Sequence, residues 1–90
     1  MEVGNVRIFK VNNEDSRIKA FASVVIGEEC VVTGIQVVSG ERDNYIRMPS
    51  RKAHDGRWKE FVIPDAGLRR RIRDAILTAY TEAPEKARKN

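Results

Sequence analysis

Apolar and polar positions alternate along most of the chain, and a helical spacing replaces that alternation near Asp65. Val3, Val6, Ile8, Phe9 and Val11 are strand formers, and the dense turn signal Asn12-Asn13-Glu14-Asp15-Ser16 follows them, so a first strand is predicted over 3–11. Over 17–26, Ile18, Ala20, Ala22, Val24 and Ile26 share one face, and Arg17, Lys19, Phe21, Ser23 and Val25 share the other. Gly27-Glu28-Glu29 can close a tight hairpin into 30–39. There Val31, Thr33, Ile35 and Val37 fall on one face, opposite Cys30, Val32, Gly34, Gln36 and Val38. Both faces are largely apolar, which predicts a central strand, with Gly34 marking a bulge or a close backbone approach. A short fourth strand over 44–48 ends at Pro49, which has no N–H for a ladder. Asp55-Gly56 is a turn pair, and 57–63 reads as a fifth strand ended by Pro64, with 50–54 left as a basic hairpin loop.

From Asp65 the period becomes 3.6. Leu68, Ile72, Ala75, Ile76, Ala79 and Tyr80 lie on one helical stripe, Asp65 suits an N-cap and Pro84 bounds the far end, so a helix is predicted from about 66 to about 83. The fold class that follows is α+β: about five antiparallel strands with one C-terminal helix packed on the sheet. Residues 1–83 form a single domain, and 84–90, which has no apolar anchor, is expected to be a frayed tail.

Chain length changes this picture little. A domain of 90 residues buries only roughly 60 to 65% of its unfolded surface, which suits one modest core and not a deep catalytic cleft. No apolar run approaches the roughly 18 residues that cross a bilayer, and Met1-Glu2-Val3-Gly4-Asn5 lacks the basic and apolar segments of an export signal. No membrane partner is expected. The single cysteine, Cys30, cannot form an intrachain disulfide, and with the single histidine, His54, it falls short of a metal set. A reducing cytoplasm is the expected compartment, with no cofactor.

Charge changes the picture more. The net charge is +4, but residues 1–50 hold six Lys/Arg against seven Asp/Glu, whereas residues 51–90 hold eleven against six. Clustered cations create a local field that attracts an anionic partner, either nucleic acid or an acidic protein.

Candidate chemistry is sparse. The sequence shows no nucleophile and base pairing and no glycine-rich phosphate loop, so an enzyme is not expected. His54, beside Asp55 in a polar turn, reads as a solvated imidazole, and Cys30 as a small buried apolar side chain. Trp58 reads as a core or interface anchor, with a stacking platform beside Arg57 and Lys59 as the alternative. The informative cluster is Arg69, Arg70, Arg71 and Arg73. Cations in the first helical turns oppose the macrodipole and repel one another, at a cost of about 0.3–1 kcal/mol per placement, so helix stability does not call for them. At 3.6 residues per turn, Arg69, Arg70 and Arg73 fan across about 100° beside the apolar stripe, and Arg71 lies on its other flank. Arg69, Arg70 and Arg73 would take phosphates, and Arg51, Lys52, Arg57 and Lys59 would extend the basic surface.

The segment Met48-Pro49-Ser50-Arg51-Lys52-Ala53-His54-Asp55-Gly56-Arg57-Trp58, then Pro64 and Ile72-Arg73-Asp74-Ala75-Ile76-Leu77, resembles the bacterial stage V sporulation protein G (SpoVG) family. Met1-Glu2-Val3 through Val6-Arg7, Ala20-Phe21-Ala22-Ser23 and the run from Val31 to Val38 resemble it too, so the likeness spans roughly 1–81. The resemblance implies a homodimeric antiparallel-sheet protein with a C-terminal helix, a DNA- and RNA-binding regulator linked in spore formers to asymmetric septation and cortex formation. It also implies binding through basic residues of the helical region, which fall here on Arg69, Arg70, Arg71 and Arg73. Where the family carries an Asp-Ile-Ala-His-Pro-like stretch, this chain has Glu60-Phe61-Val62-Ile63-Pro64, a departure that bears on sequence preference more than on fold. The expected function is therefore a nucleic-acid-binding regulator. The alternative is a protein-interaction module that docks an acidic regulatory or division protein, by the same charges or by strand addition.

Overall fold

The computed structural model describes residues 2–83. Its elements are β1 (Val3–Lys10), β2 (Ile18–Ile26), β3 (Cys30–Ser39), β4 (Asn44–Arg47), β5 (Ser50–Lys52), β6 (Trp58–Glu60) and α1 (Ala66–Glu82). The first four strands form one antiparallel sheet in the order β1-β2-β3-β4, so β3 is internal as its two apolar faces predict. The last two form a separate ribbon. The molecule is thus α+β, and the expected tail over 84–90 lies outside the described residues.

The alternation in β2 is realised as read: Ala20, Ala22, Val24 and Ile26 are all buried. They join Ile35 and Val37 of β3, Met48, and Ile72 and Ile76 of α1 in the core. One helical turn separates Ile72 from Ile76, so both point to the sheet, and each buried side chain contributes about 1.5–3 kcal/mol. The helix rests against β1, β2 and β4 and covers one face only. Asp65 caps its start, with Oδ1 accepting from Leu68 N–H at 2.8 Å. At the other end the Lys10 ammonium donates to the Ala83 carbonyl at 3.3 Å and lies 4.9 Å from the Tyr80 ring centroid, tying β1 to the last turn.

One register break in the β2–β3 ladder falls where the backbone turns left-handed. Ala22 pairs with Ile35 but Val24 pairs with Val32, so β3 carries an extra residue at Thr33-Gly34, and Gly34 has φ +78°. This bulge corrects the strict alternation expected for 30–39. It places Val32, rather than Val31, on the core side with Ile35 and Val37, and leaves Val31 exposed. The β2–β3 turn closes as expected, with positive φ at Gly27 and Glu28 and Glu29 N–H donating to the Ile26 carbonyl at 3.4 Å.

The region after β4 departs further from expectation. In place of a loop over 50–54 and a fifth strand over 57–63 in the main sheet, Ser50–Lys52 and Trp58–Glu60 pair only with each other. Met48 and Pro49 are both buried and end the main ladder, because Pro49 has no donor to continue it. The Pro49 carbonyl instead accepts from Phe61 N–H at 2.9 Å, which closes the base of a new two-stranded arm.

Candidate nucleic-acid interface

The arm is short and strongly polar. Its tip is held by Ala53 N–H to the Arg57 carbonyl (2.7 Å), Gly56 N–H to the Ala53 carbonyl (3.0 Å) and Arg57 N–H to Asp55 Oδ1 (3.0 Å). Gly56, at φ +83°, makes the reversal with no Cβ penalty. The register pairs Ser50 with Glu60, Arg51 with Lys59 and Lys52 with Trp58. Arg51 and Lys59 thus stand directly opposite each other, an arrangement of like charges that destabilises a ribbon. Asp55 relieves Lys59 only across 3.8 Å at an exposed site. Arg51, Lys52, His54, Asp55, Arg57, Trp58 and Lys59 are all exposed. An open depression of about 720 Å³ lies along Arg51, Lys52, His54, Asp55, Lys59 and Phe61.

On α1 the four arginines have different surroundings. Arg69 reaches back to the arm and donates to Glu60 from both terminal nitrogens, Nη2 to Oε1 at 2.7 Å and Nη1 to Oε2 at 3.3 Å. Glu60 Oε2 also accepts from Met48 N–H at 3.4 Å. The Arg69 hydrogen bonds hold the Glu60 carboxyl below its ordinary pKa, assisted by the Arg69 charge and the Met48 N–H, while partial burial opposes them. The same pair raises the Arg69 pKa. Arg73 donates to Asp74 Oδ1 from Nε (3.1 Å) and Nη2 (2.9 Å), an exposed contact between chain neighbours that a stronger anion can displace. Arg70 and Arg71 are exposed and have no ion-pair partner among the described residues.

The predicted cations therefore fall into two groups that meet at one point. Arg51, Lys52, Arg57 and Lys59 lie on the arm, and Arg70, Arg71 and Arg73 lie on exposed helix positions, with Arg69 joining the helix to the base of the arm. Sequence reasoning missed Arg47, an exposed β4 residue that donates to Gln36 Oε1 at 3.4 Å and lines a second groove with Trp58 and Phe61. Its position at the end of β4, two residues before Pro49, was the available signal. Two side-chain expectations are corrected. Cys30 is exposed, because it opens β3 beside the solvent-facing Gly27–Glu29 turn, and Trp58 is not a core residue, being 68% exposed on the arm. His54 is exposed in the polar turn. Among the described residues no three His, Cys, Asp or Glu side chains gather as a metal set, and no helix is long and apolar enough to cross a membrane.

Fold and site together define a small α+β domain with a helix on one sheet face and an exposed basic arm beside that helix. The SpoVG family model matches residues 1–82, and the chain belongs to the SpoVG family. Among its relatives, "Putative septation protein SpoVG" of Oceanobacillus iheyensis is 37% identical over 86 residues, covering 94% of this chain and 88% of its own. The proteins of the same name from Bacillus cereus strain AH187 and Bacillus thuringiensis subsp. konkukian are each 40% identical over 81 residues, covering 89% of this chain and 82% of theirs.

Proposed function

We propose that this protein is a homodimeric, cytoplasmic regulator that binds DNA or RNA through its phosphates and, as the names of its relatives suggest, acts in septation and sporulation. The observation that carries this reading is the set of cations that folding does not use. Arg70 and Arg71 have no ion-pair partner among the described residues, and Arg51 faces Lys59 across the arm. Arg70, Arg71 and Arg73 would take phosphates from the helix, and Arg51, Lys52, Arg57 and Lys59 from the arm. Arg69 would fix the angle between the two through Glu60.

Dimerisation is supported by the sheet face turned away from α1. Phe9 and Phe21 pair across β1 and β2 there, and both are exposed together with Val31. A monomer mass by light scattering at micromolar concentration would count against a dimer.

The test of binding is an electrophoretic shift with a random duplex and a random single strand across a salt series. Retardation that weakens steeply with salt is expected. Absence of any shift at low salt, together with salt-sensitive capture of one acidic protein, would favour the protein-docking reading, for which the outer strands β1 and β4 also offer edges for strand addition.

A further inference from the structure

Folding leaves the largest aromatic side chain of the chain in solvent. An indole buries on the order of 150–250 Å² when it is packed, yet Trp58 is 68% exposed and Phe61 is 59% exposed. Both line one groove of about 900 Å³ with Pro49, Val62, Gly34 and Arg47. Gly34 adds no side chain to that wall, and a Cβ there would come to 4.0 Å from Pro49 Cγ. Two cations border it: Lys52 is the cross-strand partner of Trp58 and so shares its face of the arm, and Arg47 stands on the wall, whereas Lys59 turns to the other face with Arg51. The two carboxylates of the arm are engaged elsewhere, Glu60 by Arg69 at 2.7 Å and Asp55 by Lys59 at 3.8 Å.

An aromatic and apolar floor bordered by Arg47 and Lys52 fits a partner with a flat face and a negative backbone. An acidic peptide would answer the charge but not the floor. A second copy of this chain has the Phe9, Phe21 and Val31 patch to dock on, of which only Val31 also lines this groove. A duplex keeps its base faces stacked inside. We infer that the Trp58–Phe61 groove is a base-stacking subsite for single-stranded RNA or DNA, in which an unstacked base lies on the Trp58 indole while Lys52 and Arg47 accompany the adjoining phosphates. This deepens the nucleic-acid reading above and rests on it.

Trp58 is the only tryptophan in the chain, so its emission reports this one site. The full-length protein is titrated with oligouridylate, with oligothymidylate and with an abasic deoxyribose-phosphate strand, each about 12 nucleotides long, a length within the usual span of single-strand sites. Both base-carrying strands are expected to quench Trp58, and the abasic strand to bind through charge without quenching. Trp58→Ala should weaken single-strand binding by about five- to 150-fold. It should leave duplex affinity and the salt slope unchanged, because no phosphate contact is removed. Trp58→Phe keeps a stacking face and should restore most of the single-strand affinity, and circular dichroism melts confirm that both variants fold. Equal quenching by the abasic strand, or undiminished single-strand affinity in Trp58→Ala, would overturn the subsite. A Trp58→Ala protein that becomes monomeric would assign the groove to a protein interface instead. If the parent shifts a duplex but shows no base-dependent quenching, this inference fails alone; if it binds no polynucleotide at all, the functional reading fails with it.

Discussion

Glu60 on β6 receives both terminal nitrogens of Arg69 and also the Met48 N–H, so one carboxylate joins the arm, the end of the main sheet and the second turn of α1. The two side chains are 30% and 35% exposed, which places the pair between a screened surface contact and a buried one. Its fork geometry puts it at the upper end of the exposed range, about 1 kcal/mol. Arg69→Ala should therefore lower stability by about that amount and loosen the arm, detected as faster amide exchange in β5 and β6.

The same pair sets a pH dependence. The folded-state pKa of Glu60 lies below its ordinary 4.5, so its stabilisation is fully present above that ordinary value and is lost as pH falls through the lower folded value. Thermal melts on the acid side of 4.5 should show a decline that is shallower in Glu60→Gln than in the parent. Parallel declines in the two proteins would show that the pair does not carry that dependence.

Two left-handed residues should respond with opposite signs. Gly34 sits at φ +78° with room for a Cβ, so Gly34→Ala carries a backbone cost of about 1–2 kcal/mol and little steric cost. Its melting temperature should fall by several degrees, at roughly 4–8 °C per kcal/mol for a domain of this size. Glu28 holds φ +68° with a full side chain, so Glu28→Gly relieves strain and should raise the midpoint by a few degrees. A rise for the first or a fall for the second would contradict the turn geometry.

Most of the frame is legible in the sequence where burial and periodicity coincide. Ala20, Ala22, Val24 and Ile26 alternate because one face of β2 meets the core, and Ile72 and Ile76 are one helical turn apart for the same reason. Reading fails where one residue shifts a register. The bulge at Thr33-Gly34 moves Val31 to solvent, and Gly34 marks that place without revealing which neighbour changes face. The arm was missed for a different reason. Three-residue strands carry too little alternation to be recognised, and Arg51 opposite Lys59 contradicts what ribbon stability favours. The cations of the site were legible from composition, but the Arg69–Glu60 pair bridges nine positions between two elements, and no local spacing rule finds it.

Cys30 and His54 should be dispensable for binding. Cys30 is exposed at the start of β3 and His54 in the arm turn, and neither belongs to a gathered set of metal ligands among the described residues. Cys30→Ala and His54→Ala should each keep nucleic-acid affinity within a few-fold of the parent by fluorescence anisotropy, and Cys30 should react with a thiol reagent in the folded protein. A tenfold loss in a well-folded variant, or a stoichiometric metal in the purified protein, would refute this.

The arginines of α1 give the sharpest separation of function from structure. Phosphate contacts act largely through released counterions, with a logarithmic salt slope near −0.9 per neutralised phosphate of duplex DNA. The three helix contacts per subunit would contribute roughly −5 to the slope of a dimer, and contacts from the arm would add to it. Arg70→Ala and Arg73→Ala should each reduce the slope by about one or two units, with similar losses on every sequence if they touch only phosphates. Arg69→Ala should reduce it less, because that guanidinium is already held by Glu60 at 2.7 Å. The helix should not weaken in the Arg70 and Arg73 variants. Arg70 has no ion-pair partner among the described residues, Arg73 loses only an exposed contact with Asp74, and removing either relieves repulsion within the arginine cluster. Their melting temperatures should hold or rise slightly, while Arg69→Ala should fall. A double variant, Arg70→Ala with Arg73→Ala, that binds DNA and RNA as tightly as the parent and with the same salt slope would show these arginines to be a solvated face, and would move the phosphate site to the arm or off the protein altogether.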